Sequence, residues 1–313
     1  MPPKLGYLLP TRERIMSGEP RVGPMLDLAR EAEGLGFDSI WIGDSVTARP
    51  RHDPLTLMAA VAAVVPRVTI GTAVLLPALR NPVLLAHQVA TIDQISQGRI
   101  VLGVGIARDV PSIRAEFAAC GVPFERRVGR MNEALALARR LWSEEHVSHD
   151  GMWTLKDASI GPKPYRPGGP PIWIAGALPQ SLERAGRLYD GWLPNSGAPE
   201  QWARQWADVG RIAGEAGRDA RALTGAMYLT LAIEDDAPMA NQRLDAYLES
   251  YYGAPAPQLR ARQACYAGNA EGAAEFLAGY ARAGVEHMIL RFAGDARRQL
   301  ALMGKIREQM QRG

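Results

Sequence analysis

The sequence has little of what marks a secreted or membrane-spanning protein. Its 313 residues include two cysteines, Cys120 and Cys265, which lie far apart and form no metal-ligand spacing. Such sparse cysteines favour reduced thiols in a cytosolic protein. No uninterrupted apolar segment approaches the roughly 18 residues that cross a bilayer, and the apolar run near the start is too short for a signal sequence. We therefore expect a soluble, cytoplasmic protein with no membrane partner.

Charge of one sign is also scarce. The 36 Lys and Arg residues nearly balance 33 Asp and Glu residues, and the basic residues are scattered, which gives no reason to expect a nucleic-acid partner. His146 and His149 stand beside Asp150, but no third ligand has suitable spacing, so no metal site is predicted. A hydrophobic share of 47% is enough for a large core.

Short apolar runs alternate with longer amphipathic ones, which is the pattern of repeated β-α units. Asp53-Pro54 and Asn81-Pro82 each combine an acceptor side chain with a following proline, a typical helix start. Eight strands are predicted, each followed by a helix, at residues 4–9, 37–42, 68–75, 100–104, 171–175, 191–194, 224–233 and 287–292.

Eight strands and eight helices in strict alternation favour a closed α/β barrel, the (β/α)8 or TIM barrel, over an open doubly wound sheet. We expect one domain over residues 1–313, with excursions at the C-terminal rim near 143–170 and 235–265. The first excursion is predicted to hold a short hairpin, and the second a helical segment. Residues 107–123 are predicted to form a long loop.

Binding residues of such a barrel lie at the C-terminal ends of the strands. Predicted strand four ends in Gly103-Val-Gly105, where glycine lets the backbone approach a flat or anionic ligand. The third glycine of a dinucleotide fingerprint is missing. Predicted strand five ends at Gly176 before a helix whose first turn offers free N–H groups, and such a turn favours a phosphate.

The segments 36–45 (GFDSIWIGDS) and 91–108 (TIDQISQGRIVLGVGIAR) together resemble the luciferase-like barrels that use flavin or deazaflavin. The resemblance implies an oxidoreductase that binds FMN or coenzyme F420 at the barrel mouth, with the ring over a bulge in strand three that often contains a non-proline cis peptide. The cofactor-binding residues that it implies are Asp44, Ala73, Val74, Gly105, Ile106 and Ala107, with Gly176, Ala177, Leu178, Gln180 and Ser181 near the phosphate.

Two positions depart from the pattern of relatives and are the catalytic candidates. Many relatives carry Asp-His where this chain has Asp44-Ser45, and a serine is no base near neutral pH without an activator. Sugar-oxidising relatives carry an acidic residue at the position of Arg108. A cation there suits a phosphate, an anionic substrate or a reduced flavin anion. Both departures argue against the sugar-6-phosphate dehydrogenase type.

The remaining candidates concern a small-molecule substrate. Arg49, Arg51 and His52 lie in the loop after predicted strand two, while Tyr7 and Arg291 belong to the first and last strands. Each of these five side chains is a candidate substrate contact by its position near a strand end. None of the loops that would select a substrate carries a readable signature.

The resemblance leaves the reaction open. With FMN it implies a monooxygenase, for which a separate flavin reductase would supply reduced cofactor; with F420 it implies a hydride-transfer reductase or dehydrogenase. We lean slightly to the FMN monooxygenase, and a non-catalytic flavin-binding barrel is a third hypothesis. A metal-dependent hydrolase is disfavoured because predicted strand one has no His-x-His. Relatives commonly dimerise through the two helices that here begin at Asp53-Pro54 and Asn81-Pro82, and the Ala-rich segment 58–64 permits a homodimer.

Overall fold

The strands of the protein form a ring of parallel neighbours. The computed structural model describes residues 2–312, with side chains described for 2–309. The strands described in this range are β1 (Lys4–Leu8), β2 (Ser39–Ile42), β3 (Thr69–Leu75), β4 (Ile100–Val104), β5 (Val147–His149), β6 (Leu155–Ala158), β7 (Ile172–Ala175), β8 (Gly191–Leu193), β9 (Thr224–Ile233), β10 (Cys265–Gly268) and β11 (His287–Phe292).

Helices connect these strands and surround the ring. They are α1 (Thr11–Met16), α2 (Gly23–Gly34), α3 (Pro54–Val64), α4 (Pro82–Ser96), α5 (Pro111–Ala119), α6 (Arg127–Ser143), α7 (Pro179–Leu188), α8 (Pro199–Glu215), α9 (Ala237–Tyr252), α10 (Ala256–Arg260), α11 (Ala270–Arg282) and α12 (Ala296–Arg312).

Eight of the strands close into the predicted (β/α)8 barrel. Their order is β1-β2-β3-β4-β7-β8-β9-β11, and β11 pairs with β1, so that Lys4 lies opposite His287. The pairing of β8 with β9 is parallel and starts at Gly191 and Thr224. The predicted fold class is therefore confirmed, and the eight predicted strands correspond to these eight.

The expected strict alternation is wrong in three places. The short helix α1, the helix α5 within the predicted loop 107–123, and the strand β10 were all missing from the prediction. Neither α1 nor α5 has a capping side chain at its start, so the usual start signal is absent. By contrast, the side chains of Asp53 and Asn81 accept backbone N–H groups of the first turns of α3 and α4, as predicted.

Both predicted excursions have structure of their own. The first contains an antiparallel hairpin of β5 and β6. It connects the end of α6 to the start of β7, and Arg166 donates to the carbonyl of Gly98 just before β4. This excursion therefore lies at the N-terminal end of the barrel, and its predicted place at the C-terminal rim is wrong.

The second excursion contains α9 and α10. Leu244 and Leu248 of α9 pack with Leu259 of α10 against Ala232 and Ala293. Because Ala232 and Ala293 lie at the C-terminal ends of β9 and β11, the second excursion lies against this side of the barrel mouth.

The opposite, N-terminal end of the barrel is filled by a buried polar and aromatic cluster. Ser39 Oγ lies 2.6 Å from both His287 Nε2 and Trp41 Nε1. The ring of Trp41 needs the space left by glycine, because a Cβ at Gly6 would lie 2.4 Å from its Nε1. This packing closes the N-terminal end of the barrel and leaves the C-terminal mouth as the open end.

The buried His287 should make stability depend on pH. Burial lowers the pKa of His287 to about 3 from the ordinary 6.5. Below pH 6.5 the unfolded chain therefore binds a proton at this residue, whereas His287 of the folded chain stays neutral until the pH nears 3. The contribution of neutral His287 to the free energy of unfolding is complete above pH 6.5 and is lost as the pH falls towards 3. Between pH 7 and 5 we expect the wild type to lose about 2 kcal/mol more than His287→Gln in urea unfolding. Parallel losses in both proteins would contradict this expectation.

Candidate functional site

A cavity of about 220 Å³ lies at the C-terminal mouth of the barrel. It brings together nine of the residues predicted for the site, which are Asp44, Ser45, Arg49, Arg51, Ala73, Val74, Ala107, Arg108 and Arg291. It is also lined by Leu76, Ile113, Asn195, Tyr228, Tyr251, Tyr252 and Gln263, which the sequence did not single out.

Two of the predicted substrate contacts lie elsewhere. Tyr7 is 1% exposed and stacks on Phe292 at 5.9 Å between ring centres, in the same apolar cluster as Met25 of α2. The ring of His52 is hydrogen bonded to the carbonyl of Pro20 at 2.6 Å. Neither side chain lines the cavity, because the strand pleat and the local turn direct them to other neighbours.

The floor of the cavity includes the bulge that the resemblance implies. The Ala73–Val74 peptide is cis, and the register of β3 against β4 shifts between Thr72 and Leu75. Gly105, which follows β4, is needed for close approach, since a Cβ there would lie 2.7 Å from a methyl carbon of Val74. The bulge therefore presents small apolar side chains and backbone to the cavity, while Gly105 and Ile106, which were predicted for the cofactor site, are not among the lining residues.

Asp44 ties the end of β2 to this bulge. Its Oδ2 accepts from the N–H of Leu76 at 2.9 Å and from Arg80 at 2.5 Å, and its Oδ1 accepts from Arg80 at 3.1 Å. The carboxylate is only 2% exposed. Because both oxygens are held by these donors, Asp44 is a structural anion rather than a free base.

Ser45 is held in a second polar contact that the sequence did not predict. Its hydroxyl donates to Glu116 Oε1 at 2.7 Å, and the same oxygen accepts the N–H groups of residues 46, 47 and 48 at 2.5, 2.9 and 3.2 Å. The N–H of Arg49 donates to Ser45 Oγ. Glu116 of α5 is fully buried and fixes the loop that carries Arg49 and Arg51. Ser45 thus serves this loop instead of acting as a free nucleophile or base.

The wall opposite the bulge is built around a buried cation. Arg291 is 2% exposed and donates to Tyr252 Oη at 2.7 Å, to Gln263 Oε1 at 2.8 Å and to Thr230 Oγ1 at 2.9 Å. Its guanidinium also lies 4.9 Å from the ring centre of Tyr251. All these partners are neutral, so the positive charge of Arg291 is not cancelled by a carboxylate in contact with it.

The tyrosines come mainly from α9 and were missed by sequence reasoning. Tyr247 and Tyr251 are four residues apart and so share one face of the helix, and both rings lie against the Arg291 guanidinium. This spacing was visible in the sequence. Burial raises the pKa of Tyr228 and of Tyr251, so both phenols are neutral near pH 7. Among the described lining residues the charge of the cavity is therefore positive, and none of them is a histidine.

The predicted phosphate turn lies on the same rim but outside the cavity lining. Gly176 has φ of 110°, and a Cβ there would lie 2.7 Å from Ser181 Oγ. At the start of α7, Leu178 gives no capping side chain and Pro179 has no N–H. The N–H of Ser181 donates to the Leu178 carbonyl at 2.7 Å, so among the described residues Gln180 carries the unpaired N–H of this turn. Ala177 and Gln180 belong to the same turn. It follows β7, the neighbour of β4 in the barrel.

Over residues 2–309, no group of three or more His, Cys, Asp and Glu side chains is placed to hold a metal ion. His149 instead pairs with Glu133 at 3.0 Å, and both cysteines are free thiols. No helix within the described part of the chain is both long and apolar enough to cross a membrane.

Comparison with known proteins agrees with the barrel fold. The model of the luciferase-like monooxygenase family matches residues 3–311, and the chain belongs to this family. Its curated relatives include an F420-dependent glucose-6-phosphate dehydrogenase of Intrasporangium calvum, which is 35% identical over 181 residues, 55% of this chain and 54% of that protein. The chain therefore spans little more than half the length of that relative.

The chain is also similar to a second relative and to two solved structures. The 5,10-methylenetetrahydromethanopterin reductase of Methanolobus tindarius is 31% identical over 68% of this chain and 62% of its own length. An F420-dependent secondary alcohol dehydrogenase superposes with a TM-score of 0.83 at 22% identity, covering 99% of both chains. Monooxygenase RslO1 from Streptomyces bottropensis gives 0.80 at 24%, covering 96% and 98%. At these identities the two structures show a shared fold alone.

Proposed function

We propose that this protein is an oxidoreductase that uses coenzyme F420 and transfers a hydride between this deazaflavin and a small organic substrate. The observation that carries the proposal is the cavity floored by the Ala73–Val74 bulge at the barrel mouth. The choice of F420 over FMN is supported by the relatives at 31% and 35% identity, whose names specify F420 or a reductase. This departs from the slight preference for FMN that the sequence suggested.

The residues present fit a flat tricyclic ring at this position. Small or apolar surface is offered by Ala73, Val74, Ala107 and Ile113. Gly105 has no side chain, and a Cβ at this position would clash with Val74 of the bulge. When bound, the cofactor supplies the two-electron hydride chemistry, while the protein supplies orientation and electrostatics. Asp44 would act through the bulge, which it holds by the N–H of Leu76.

The phosphate of the cofactor would lie at the start of α7. Backbone N–H groups and the helix dipole favour an anion there, and the lack of a capping side chain at Leu178 leaves that place available. We assign this role to the turn residues Gly176, Ala177, Leu178, Gln180 and Ser181.

Tyr252 is the group that we propose to hold a substrate oxygen and its proton. Arg291 donates to Tyr252 Oη, so the phenolic oxygen accepts that bond and its own proton is free to point elsewhere. This arrangement replaces the histidine that many relatives carry at the position of Ser45. The Ser45 hydroxyl, already committed to Glu116, has no equivalent freedom.

Substitution of Tyr252 tests this assignment. For Tyr252→Phe we expect kcat to fall by about 10²-fold, the usual scale for loss of a positioned proton donor, with little change in the dissociation constant of F420. Tyr266→Phe is the matched control, since that hydroxyl bonds Asn269 near the start of α11 and does not line the cavity. Equal turnover in both variants would remove Tyr252 from the mechanism.

The FMN-dependent monooxygenase is the second candidate, supported by the fold shared with RslO1 and by Arg108, a cation suited to a reduced flavin anion. It would need a flavin reductase as a partner. An anaerobic assay with reduced F420 and a panel of small ketones, aldehydes and enones distinguishes the hydride-transfer function from the monooxygenase. We expect oxidation of reduced F420 under these conditions. Turnover that requires both oxygen and reduced FMN would support the monooxygenase instead.

Three coarser expectations remain proposals. A homodimer through α3 and α4 is supported by Leu84 and Ile95, which are exposed on α4. The cytoplasmic location rests on the sparse cysteines, and the single domain over residues 1–313 rests on the unbroken series of β-α units. A non-catalytic flavin-binding barrel would bind the cofactor and fail the turnover assay.

A further inference from the structure

Three arginines of the cavity form a cluster whose purpose the cofactor does not explain. We call Arg49, Arg51 and Arg108 the arginine cluster. All three line the cavity beside the bulge. Burial lowers the pKa of Arg49, and the nearby charges of Arg51 and Arg108 lower it further, so both of these cations lie close enough to act on Arg49. A Cβ built at Gly43 would lie 2.2 Å from Arg51 Nη1 and 3.7 Å from the carbonyl oxygen of Ala73, so the Arg51 guanidinium lies close to the bulge.

The cluster has no acidic partner within the described part of the chain. No carboxylate among residues 2–309 lies within salt-bridge distance of any of the three. Asp44, the carboxylate in the cavity lining, is held by Arg80. Glu13 acts on Arg51 over a longer distance, but it already accepts the hydroxyl of Tyr247. Arg291 adds a fourth cation to the same cavity.

Most donors of the cluster are unpaired among residues 2–309, although Arg51 Nε donates to the carbonyl of Arg49 at 3.2 Å. The Arg49 guanidinium lies 4.9 Å from the ring centre of Tyr252, and that of Arg51 lies 5.7 Å from the ring centre of Tyr251. No hydrogen bond joins the Arg49 or Arg108 guanidinium to a described residue. Glu116 fixes the backbone that carries Arg49 through four accepted hydrogen bonds. Arg49 and Arg51 are therefore held in place, while Arg108 is exposed at the edge of the cavity. The fork-shaped donors of the three match the oxygens of a carboxylate or phosphate.

Like charges gathered in a partly buried cavity repel one another, and the tyrosine rings beside Arg49 and Arg51 offset this repulsion only in part because they carry no net charge. An anion in the cavity would remove this cost. We propose that the arginine cluster is the recognition site for the substrate, and that the substrate carries an oxyanion, a carboxylate or phosphate, next to the group that exchanges the hydride. This inference rests on the proposed function, because it identifies the substrate class of that same site.

The cofactor phosphate is a less suitable occupant. Its proposed turn, residues 176–181, does not line this cavity, whereas the cluster lies beside the bulge that would carry the ring. An anion at the cluster is therefore placed near the reacting end of the cofactor. Substrate binding and cofactor binding should consequently respond differently when the cluster is changed.

Calorimetric titration of the purified full chain tests this inference with inorganic phosphate and acetate as probes, at constant ionic strength. Acetamide is the neutral match for acetate. The variant is Arg49→Gln/Arg108→Gln, and the control is Arg204→Gln, an exposed arginine on α8 outside the cavity. We expect both anions to bind and acetamide not to bind, and the double variant to weaken anion binding by about tenfold or more. The control should bind like the wild type.

Titration of F420 into the same proteins distinguishes the substrate site proposed here from the proposed cofactor. Unchanged F420 affinity with weakened anion binding supports a substrate site. Equal losses for F420 and for the anions would overturn it, because the cluster would then hold the cofactor. Equal binding of acetate and acetamide, or no effect of the double variant, would overturn it as well. If no protein binds F420 but the anions still depend on the cluster, the oxyanion site stands while the proposed cofactor fails.

Discussion

Replacing Arg80 by alanine is expected to lower the free energy of unfolding by about 3–5 kcal/mol, the cost of leaving a buried charge without its partner. The charge is that of Asp44, which is 2% exposed and receives two hydrogen bonds from Arg80. Asp44 also holds the N–H of Leu76, so the bulge at Ala73 and Val74 should loosen in the same variant. F420 affinity should therefore fall together with stability.

Urea unfolding of matched variants measures this effect. Arg30→Ala is the control, because Arg30 and its partner Asp27 are both more than half exposed and such pairs contribute about 0–1 kcal/mol. Arg80→Ala/Asp44→Asn should recover part of the loss, since the stranded charge is then removed. If Arg80→Ala were no more harmful than Arg30→Ala, Asp44 would not be the buried anchor described above.

Replacing Glu116 by alanine is the second large effect. The single Oε1 atom accepts four donors from residues 45–48, so we expect a loss of about 3 kcal/mol in the free energy of unfolding. The loop should also lose its fixed shape. Phosphate binding at the arginine cluster should then weaken although no arginine has been changed, which identifies Glu116 as a positioning residue.

Glu116→Gln and Glu125→Ala complete this test. The amide keeps one acceptor oxygen, so its losses in stability and phosphate affinity should lie between those of wild type and alanine. Glu125 is exposed and pairs with Arg114, so its removal should change stability by less than about 1 kcal/mol. Phosphate affinity that stays constant in Glu116→Ala, despite lower stability, would show that the loop does not position the arginines.

The barrel was predictable because its signals are local. The alternation of apolar runs gives the eight strands, and the bounds of β4, β9 and β11 match the prediction. The acceptor-proline pairs at Asp53 and Asn81 mark the starts of two helices correctly. The segments that failed, α1, α5 and β10, are short or lack such a signal.

The candidate site was predictable only in part because its contacts join distant segments. Ser45 was noticed as a departure from the pattern of relatives, but its partner Glu116 is 71 residues away in a segment expected to be a loop. Arg291 was placed at a strand end, whereas Tyr252, to which it is bonded, belongs to an excursion read only as helical. No periodicity in either segment reveals such a pairing.

The most direct test of the central claim is a binding titration of the purified, cofactor-free protein with F420, FMN and reduced FMN, followed by tryptophan fluorescence. We expect saturable binding of F420 with clear preference over both forms of FMN, and a lower F420 affinity in Arg80→Ala. Selective binding of reduced FMN would contradict the hydride-transfer function in favour of oxygen chemistry. The absence of binding by all three would contradict the assignment of a cofactor to this barrel mouth.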